Sequence, residues 1–198
     1  MPKTRTRKTR EENMEIIKET TLEYLKNTSY LDLSINKIAE SSEINISQIY
    51  RYFPNGKPDI LIAIGNDIVQ KGAPNPELPK YKDPRILLLD LIKFYIRTHK
   101  ESKKILVSLQ TVFLSYPELM AQDAKNVEAG VSDFNVLKTC IERFGVKEEK
   151  KLNEKTRVMF HLIDTMIHRH VLEVKITPTD KELAELLVNI TEAYVIMN

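Results

Sequence analysis

Three side chains in the C-terminal third have the types and spacing of a metal-binding face. His161, Asp164 and His168 fall at i, i+3 and i+7 of one apolar-periodic segment, so a single helical face could present two imidazoles and a carboxylate. A closed zinc site needs a fourth ligand and a supporting shell, and no second ligand cluster is evident in the sequence. No metal is therefore expected, and a pocket-lining or subunit-interface role is assigned to this face. Catalytic signatures are equally lacking: there is no G-x-S-x-G, no P-loop, no H-E-x-x-H and no glycine-rich nucleotide turn. No catalytic residue and no cofactor is expected. The single cysteine, Cys140, excludes an intramolecular disulfide and fits a reducing, cytoplasmic setting. Next to Ile141 on an amphipathic segment, it reads as a small buried hydrophobe.

The elements around residues 34–57, SINKIAESSEINISQIYRYFPNGK, carry a second kind of chemistry. Ser34 can cap a short helix whose Ile35, Ile38 and Ala39 share one face. Ser41-Ser42-Glu43 interrupts that pattern as a tight turn would. Asn45 can cap a second helix, with Gln48 as a capping-box-like partner. Ile44 and Ile49 would pack this helix on the first, leaving Ile46, Ser47, Gln48 and Tyr50 facing outward. The pattern is that of a helix-turn-helix closed by the aromatic-basic run Tyr50-Arg51-Tyr52-Phe53-Pro54 and Lys57.

This stretch resembles the tetracycline-repressor-like (TetR) family of transcriptional regulators, in which an "IA", a turn, a short recognition helix and "YxYF" with a nearby lysine occur in this order. Ile17, Thr20, Thr21, Tyr24 and Leu25 stand where that family's first helix carries its core stripe. The detailed resemblance covers about residues 13 to 64 and the remainder matches in length and helical character. Glu43 stands where the turn usually has Gly, so the turn forms without positive φ or at some strain. Ser42 replaces the usual Ala, and Gly56 looks like an insertion before Lys57.

The resemblance implies a DNA-binding regulator. Ser34, Tyr50, Tyr52 and Lys57 are expected on phosphates, because hydroxyl and ammonium donors fix register. Ile46, Ser47 and Gln48 are expected near base edges, where Gln can bond adenine bidentately, and Asn45 is expected among the DNA-binding residues.

Composition agrees with an ordinary globular chain: 198 residues, 42% hydrophobic, 29% charged, five glycines. Few glycines and abundant Leu, Ile, Glu and Lys favour an all-α fold. No apolar run approaches the roughly 18 residues that span a bilayer, and no secretory signal is recognisable. The net charge of +2 conceals an uneven distribution. Residues 1–10 hold Lys3, Arg5, Arg7, Lys8 and Arg10 without an acid, whereas residues 11–57 hold more acids than bases. Beside a helix-turn-helix, Arg5 and Arg7 are expected to reach phosphates or a minor groove.

Three segments are expected: a basic arm over 1–12, a helix-turn-helix domain over 13–57, and a ligand-binding and dimerisation domain over 58–198. In the last, helices are expected over 58–71, from 84 through an almost wholly apolar run, over 104–115, from about 117 to Phe144, over 149–173, and after Pro178. The final helix carries Leu183, Leu187, Ile190 and Tyr194 on one face. That stripe could dock on the chain's own core, and the resemblance implies instead a homodimer interface. An effector cavity between helices is expected from Tyr95, Phe113, Met120, Phe134, His161 and Met166, suiting a hydrophobic or amphiphilic molecule such as an acyl thioester. Lys80, Lys82 and Arg85 could meet a phosphate-bearing head group. The expected function is a repressor that binds a palindromic double-stranded operator as a dimer and releases it on binding a small molecule. The alternative is an enzyme or a carrier of lipophilic molecules on the same bundle, recognisable by the absence of any operator preference.

Overall fold

The computed structural model describes residues 8–72, 80–119 and 132–197, and every regular element among them is helical. The expectations placed on Arg5, Arg7 and Met120, and on residues 120–131 of the helix expected from 117, lie outside the described residues. Among the described residues, no helix is long and apolar enough to cross a membrane. The chain divides into two compact units.

The first unit runs to Ile68 and takes in the segment that begins at Lys104. Helix α1 spans Arg10–Asn27. It starts where Thr9 and Glu12 form a reciprocal capping box, and Glu11 and Glu12 suit the positive end of the helix dipole. Helix α1 therefore begins inside the segment expected as the basic arm, 1–12, because a local cap starts it there. Ile17, Thr21 and Leu25 line the buried face of α1. A short 3₁₀ turn, Tyr30–Asp32, leads to α2, Ile35–Ser42, whose first-turn amide of Lys37 donates to the Ser34 hydroxyl at 3.3 Å.

Glu43 ends α2 with φ 54° and ψ 31°, a left-handed conformation. The turn thus takes the strained route open to a non-glycine residue. Helix α3, Ile46–Tyr52, follows. Asn45 occupies its N-cap position without a side-chain cap bond; the amide of Gln48 donates to the Asn45 carbonyl instead, at 2.8 Å. Gly56, at φ 70°, makes the next turn, and α4 runs over Lys57–Gly72. Helix α6, Lys103–Ser115, packs from Lys104 onward in this unit. A β-carbon at Gly65 of α4 would lie only 2.8 Å from Leu109 Cδ1 of α6, so the glycine permits that close approach. Ile38, Ile49, Phe53, Ile60 and Ile64 form the centre of one core with Ile105 and Val112.

In the second unit, α5 (Pro84–Glu101) contacts α7 (Ser132–Arg143), α8 (Glu149–Leu172) and α9 (Asp180–Ile196). Its buried Leu87, Leu88, Leu91, Ile92 and Ile96 explain the almost unbroken apolar run. Asp83 caps α5 ahead of Pro84, and Thr179 and Glu182 form a second capping box on α9. Gly145, at φ 111°, follows the end of α7. Cys140 is fully buried, and desolvation pushes its thiol up to about 12. Two buried polar groups fasten the helix ends. Lys155 donates to the Tyr194 and Val195 carbonyls at 3.1 and 3.0 Å. His170 accepts the Ile176 amide on Nδ1 and reaches Asp180 with Nε2.

Leu183 and Leu187 are both 0% exposed within this unit. Their stripe turns inward to the chain's own core with Leu88, Ile92 and Ile163. The dimer role expected of these two residues is therefore corrected: a side chain already desolvated by its own fold has nothing left to offer a partner. Ile190 and Tyr194 remain half-buried.

Candidate nucleic-acid interface

Helix α3 divides its residues cleanly. Ile49 is buried against α2, while Ile46 and Tyr50 are exposed to 42% and 48%. Ser47 is exposed and Gln48 half-buried on the same outer surface. Large apolar and aromatic groups left in water on a short helix, beside a serine and a glutamine, form an outer surface rather than a core face.

The hydroxyl end of the Tyr50 ring lies beside the turn that follows. A β-carbon at Gly56 would come 3.2 Å from Tyr50 Cε1 and 3.5 Å from Ile35 Cδ1, so the positive φ favours glycine and a side chain there would crowd the Tyr50 ring. The apparent insertion before Lys57 is thus part of the turn. The Ser34 hydroxyl accepts the Lys37 amide and keeps its own O–H for another partner. Asn45 is exposed, its amide unused by the helix cap.

Lys57 is placed differently from the expectation. Its ammonium donates to the Leu33 carbonyl at 2.8 Å and the Tyr30 carbonyl at 3.3 Å, and sits 4.7 Å from the Tyr30 ring centroid. Two of its three donors are engaged within the protein, and desolvation lowers its pKa against a smaller opposing pull from Asp32. Its main role here is to tie the 3₁₀ turn to the start of α4.

An open cleft of about 700 Å³ borders α3, lined by Lys8, Arg10, Asn13, Glu43, Gln48, Arg51 and Tyr52 among others. Tyr52 lies at its centre of interactions. Its hydroxyl accepts from Arg51 Nη2 at 3.3 Å and Asn13 Nδ2 at 3.5 Å. The Arg51 bond is the main cause of a phenol pKa below the usual value. Arg10, Asn13 and Arg51 carry no motif signature in the sequence. Arg51 was visible only as a base between two tyrosines, and Arg10 only as part of a basic terminus.

The residues expected to line an effector cavity do not all come together. Tyr95 on α5 and Met166 on α8 are half-buried against the second unit's core. Phe134 meets Phe160 edge-on, with centroids 5.8 Å apart. Phe113 belongs to the first unit. His161 is exposed on the outer face of α8, which removes it from any internal lining. The expected His161–Asp164–His168 face also resolves otherwise. Asp164 reaches His99 of α5 at 3.5 Å, and the His99 and His168 rings stand edge-to-face at 5.9 Å. Among the described residues, no group of three His, Cys, Asp or Glu is arranged to hold a metal ion. Arg85 is held by Asn189 at 2.8 Å and by Glu192, so it does not await a head group.

No protein-family model and no curated protein matches the sequence. Solved structures share the fold. FadR of Thermus thermophilus, a TetR-family transcriptional repressor in complex with lauroyl-CoA, has a TM-score of 0.69 at 15% identity, covering 90% of this chain and 92% of that one. FadR of Bacillus subtilis, in complex with stearoyl-CoA, has a TM-score of 0.63 at 16% identity, over 90% and 97%. A TetR transcription regulator from Haloarcula marismortui ATCC 43049 has a TM-score of 0.60 at 20% identity, over 93% and 97%.

Proposed function

We propose that this chain, which has the fold of TetR-family transcriptional regulators, is itself a DNA-binding regulator that releases its operator when a small molecule binds the second unit. The observation that carries this reading is the outer face of α3. Ile46, Ser47, Gln48 and Tyr50 have no core duty to explain their exposure, while Ile49 anchors the helix that presents them. Gln48 and Ser47 supply hydrogen-bonding edges, Ile46 suits the thymine methyl, and Tyr50 suits a phosphate.

A two-fold dimer would bring two such helices to a palindromic site. Val158 on α8 and Leu186 on α9, exposed to 41% and 37%, are apolar side chains left for that partner, with half-buried Ile190 and Tyr194 beside them. The effector is read as an amphiphile with an acyl chain. Half-buried Tyr95, Phe134, Phe160 and Met166 in the second unit suit apolar matter, and two proteins of similar fold hold acyl-CoA molecules.

The test begins with selection of binding sites from a random duplex pool, followed by titration of the selected duplex and a mixed-sequence duplex. A preference for the selected sequence is expected, with release by lauroyl-CoA or stearoyl-CoA. Equal affinity for both duplexes would favour a carrier or an enzyme built on this bundle.

A further inference from the structure

We propose that Arg10 and Arg51, both docked on the ring of Tyr52, form a two-guanidinium clamp for a phosphodiester of the DNA backbone, a site that rests on the reading of this chain as a duplex-binding regulator. The two guanidinium carbons lie 5.8 and 5.2 Å from the same ring centroid. They come from different elements, Arg10 from the first turn of α1 and Arg51 from α3. Both residues are exposed, and among the described residues neither pairs with a carboxylate.

Two like charges beside one cleft raise the free energy of the empty site, and an anion in the cleft relieves it. The ring draws both cations to the cleft, and the N–H groups of Arg10, with those of Arg51 that are not bonded to the Tyr52 hydroxyl, remain for phosphate oxygens. The ring itself is oriented by the Asn13 amide and the Arg51 fork on its hydroxyl. Contact with the ring restricts both arginines before any ligand arrives, which lowers the entropic cost of binding.

The identity of the anion follows from the neighbourhood. Gln48 lines the same cleft as Arg10, Arg51 and Tyr52. A phosphate held there lies beside the helix that reads bases, as a strand flanking an occupied groove must. Lys8 also lines the cleft as a cation, and Glu43 as its one carboxylate among the lining residues.

The experiment compares wild type, Arg10→Gln and Arg51→Gln against the pool-selected duplex and a mixed-sequence duplex over a range of salt. Both substituted side chains are exposed, and circular dichroism checks that each variant folds. Each variant is expected to make the slope of log K against log salt shallower by about 0.9, on both duplexes alike. The ratio of affinities for the two duplexes should stay unchanged. Arg51→Lys should keep most of the slope but bind more weakly than wild type, because it retains charge and loses the fork.

Unchanged slopes in both glutamine variants, with wild type still selecting its duplex, would overturn the clamp and leave the regulator reading intact. A variant that alters which duplex is preferred would also overturn it, by making the arginine a base reader. Failure of wild type to bind any duplex would remove both readings. Saturable binding of inorganic phosphate to DNA-free protein, abolished by Arg51→Gln, would overturn the duplex assignment in favour of a free anion.

Discussion

Gln48 stands half-buried on α3, with its amide at the edge of the cleft that Arg51 and Tyr52 also line. Gln48→Ala is expected to cost about 1–3 kcal/mol at one base-pair position and to relax discrimination there. Tyr50→Phe should weaken all duplexes alike, since a phosphate contact carries no sequence information. A panel of singly substituted selected duplexes separates the two, and an unchanged preference in Gln48→Ala would mean that another residue reads that base. Glu43 presents a different residue-scale question. Its left-handed backbone costs a non-glycine residue about 1–2 kcal/mol, and glycine's greater freedom in the unfolded chain takes back part of any relief. Glu43→Gly should raise stability by about 1 kcal/mol in chemical denaturation. A loss of stability would show that the side-chain interactions of Glu43 outweigh the strain.

At the scale of elements, turns and helix contacts decide how these side chains are presented. Gly56→Ala meets both a positive φ and the ring of Tyr50, so it should destabilise by about 1–2 kcal/mol. It should also reduce affinity for every duplex by displacing Tyr50. Unaltered stability together with unaltered affinity would show that the turn adjusts without moving α3. In the second unit, burial chiefly holds His168 below the ordinary 6.5, with Asp164 opposing and His99 adding to the shift. The unfolded chain then takes up a proton more readily than the folded one. The contribution is present above about pH 6.5 and is lost as pH falls through that value toward the folded pKa. His168→Gln should flatten this part of the stability profile, measured as the urea midpoint against pH; an unaltered profile would assign the loss to another group. Asp180, lowered first by its bond to Lys100, adds a separate loss deeper in the acid range.

For the whole molecule, the fate of the C-terminal stripe separates folding from assembly. Leu187 is fully buried in its own unit, so Leu187→Glu places a charge in an apolar core at a cost on the order of several kcal/mol. It should unfold that unit whether or not a partner is present. Leu186 is 37% exposed, and Leu186→Glu should leave circular dichroism and the melting profile close to wild type. If Leu186 and Val158 meet a second copy, light scattering should show Leu186→Glu shifted toward monomer, with operator affinity falling because two half-sites are no longer held together. A folded Leu186→Glu variant that stays dimeric would move the interface elsewhere.

Much of this architecture is legible in the chain itself. The bounds of α4, α5, α8 and α9 follow from apolar periodicity, and the end of α7 from Gly145, all encoded within a few neighbouring residues. The outward set on α3 follows from the same local rule, because Ile49, with Ile44 just before the helix, packs inward and leaves the intervening side chains outside. Even the start of α1 is written in the T-x-x-E of Thr9 and Glu12, although the surrounding basic charges draw attention away from the cap. What tertiary structure decided is which surface each face meets. Periodicity states that Leu183 and Leu187 must be covered, but not whether a sister chain or the chain's own α5 covers them. Likewise the docking of Lys57 on the Tyr30 and Leu33 carbonyls, of Asp164 on His99, and of Arg10 with Arg51 on Tyr52 joins residues distant in sequence. Such pairings arise from how helices cross, and no spacing along one helix encodes the crossing.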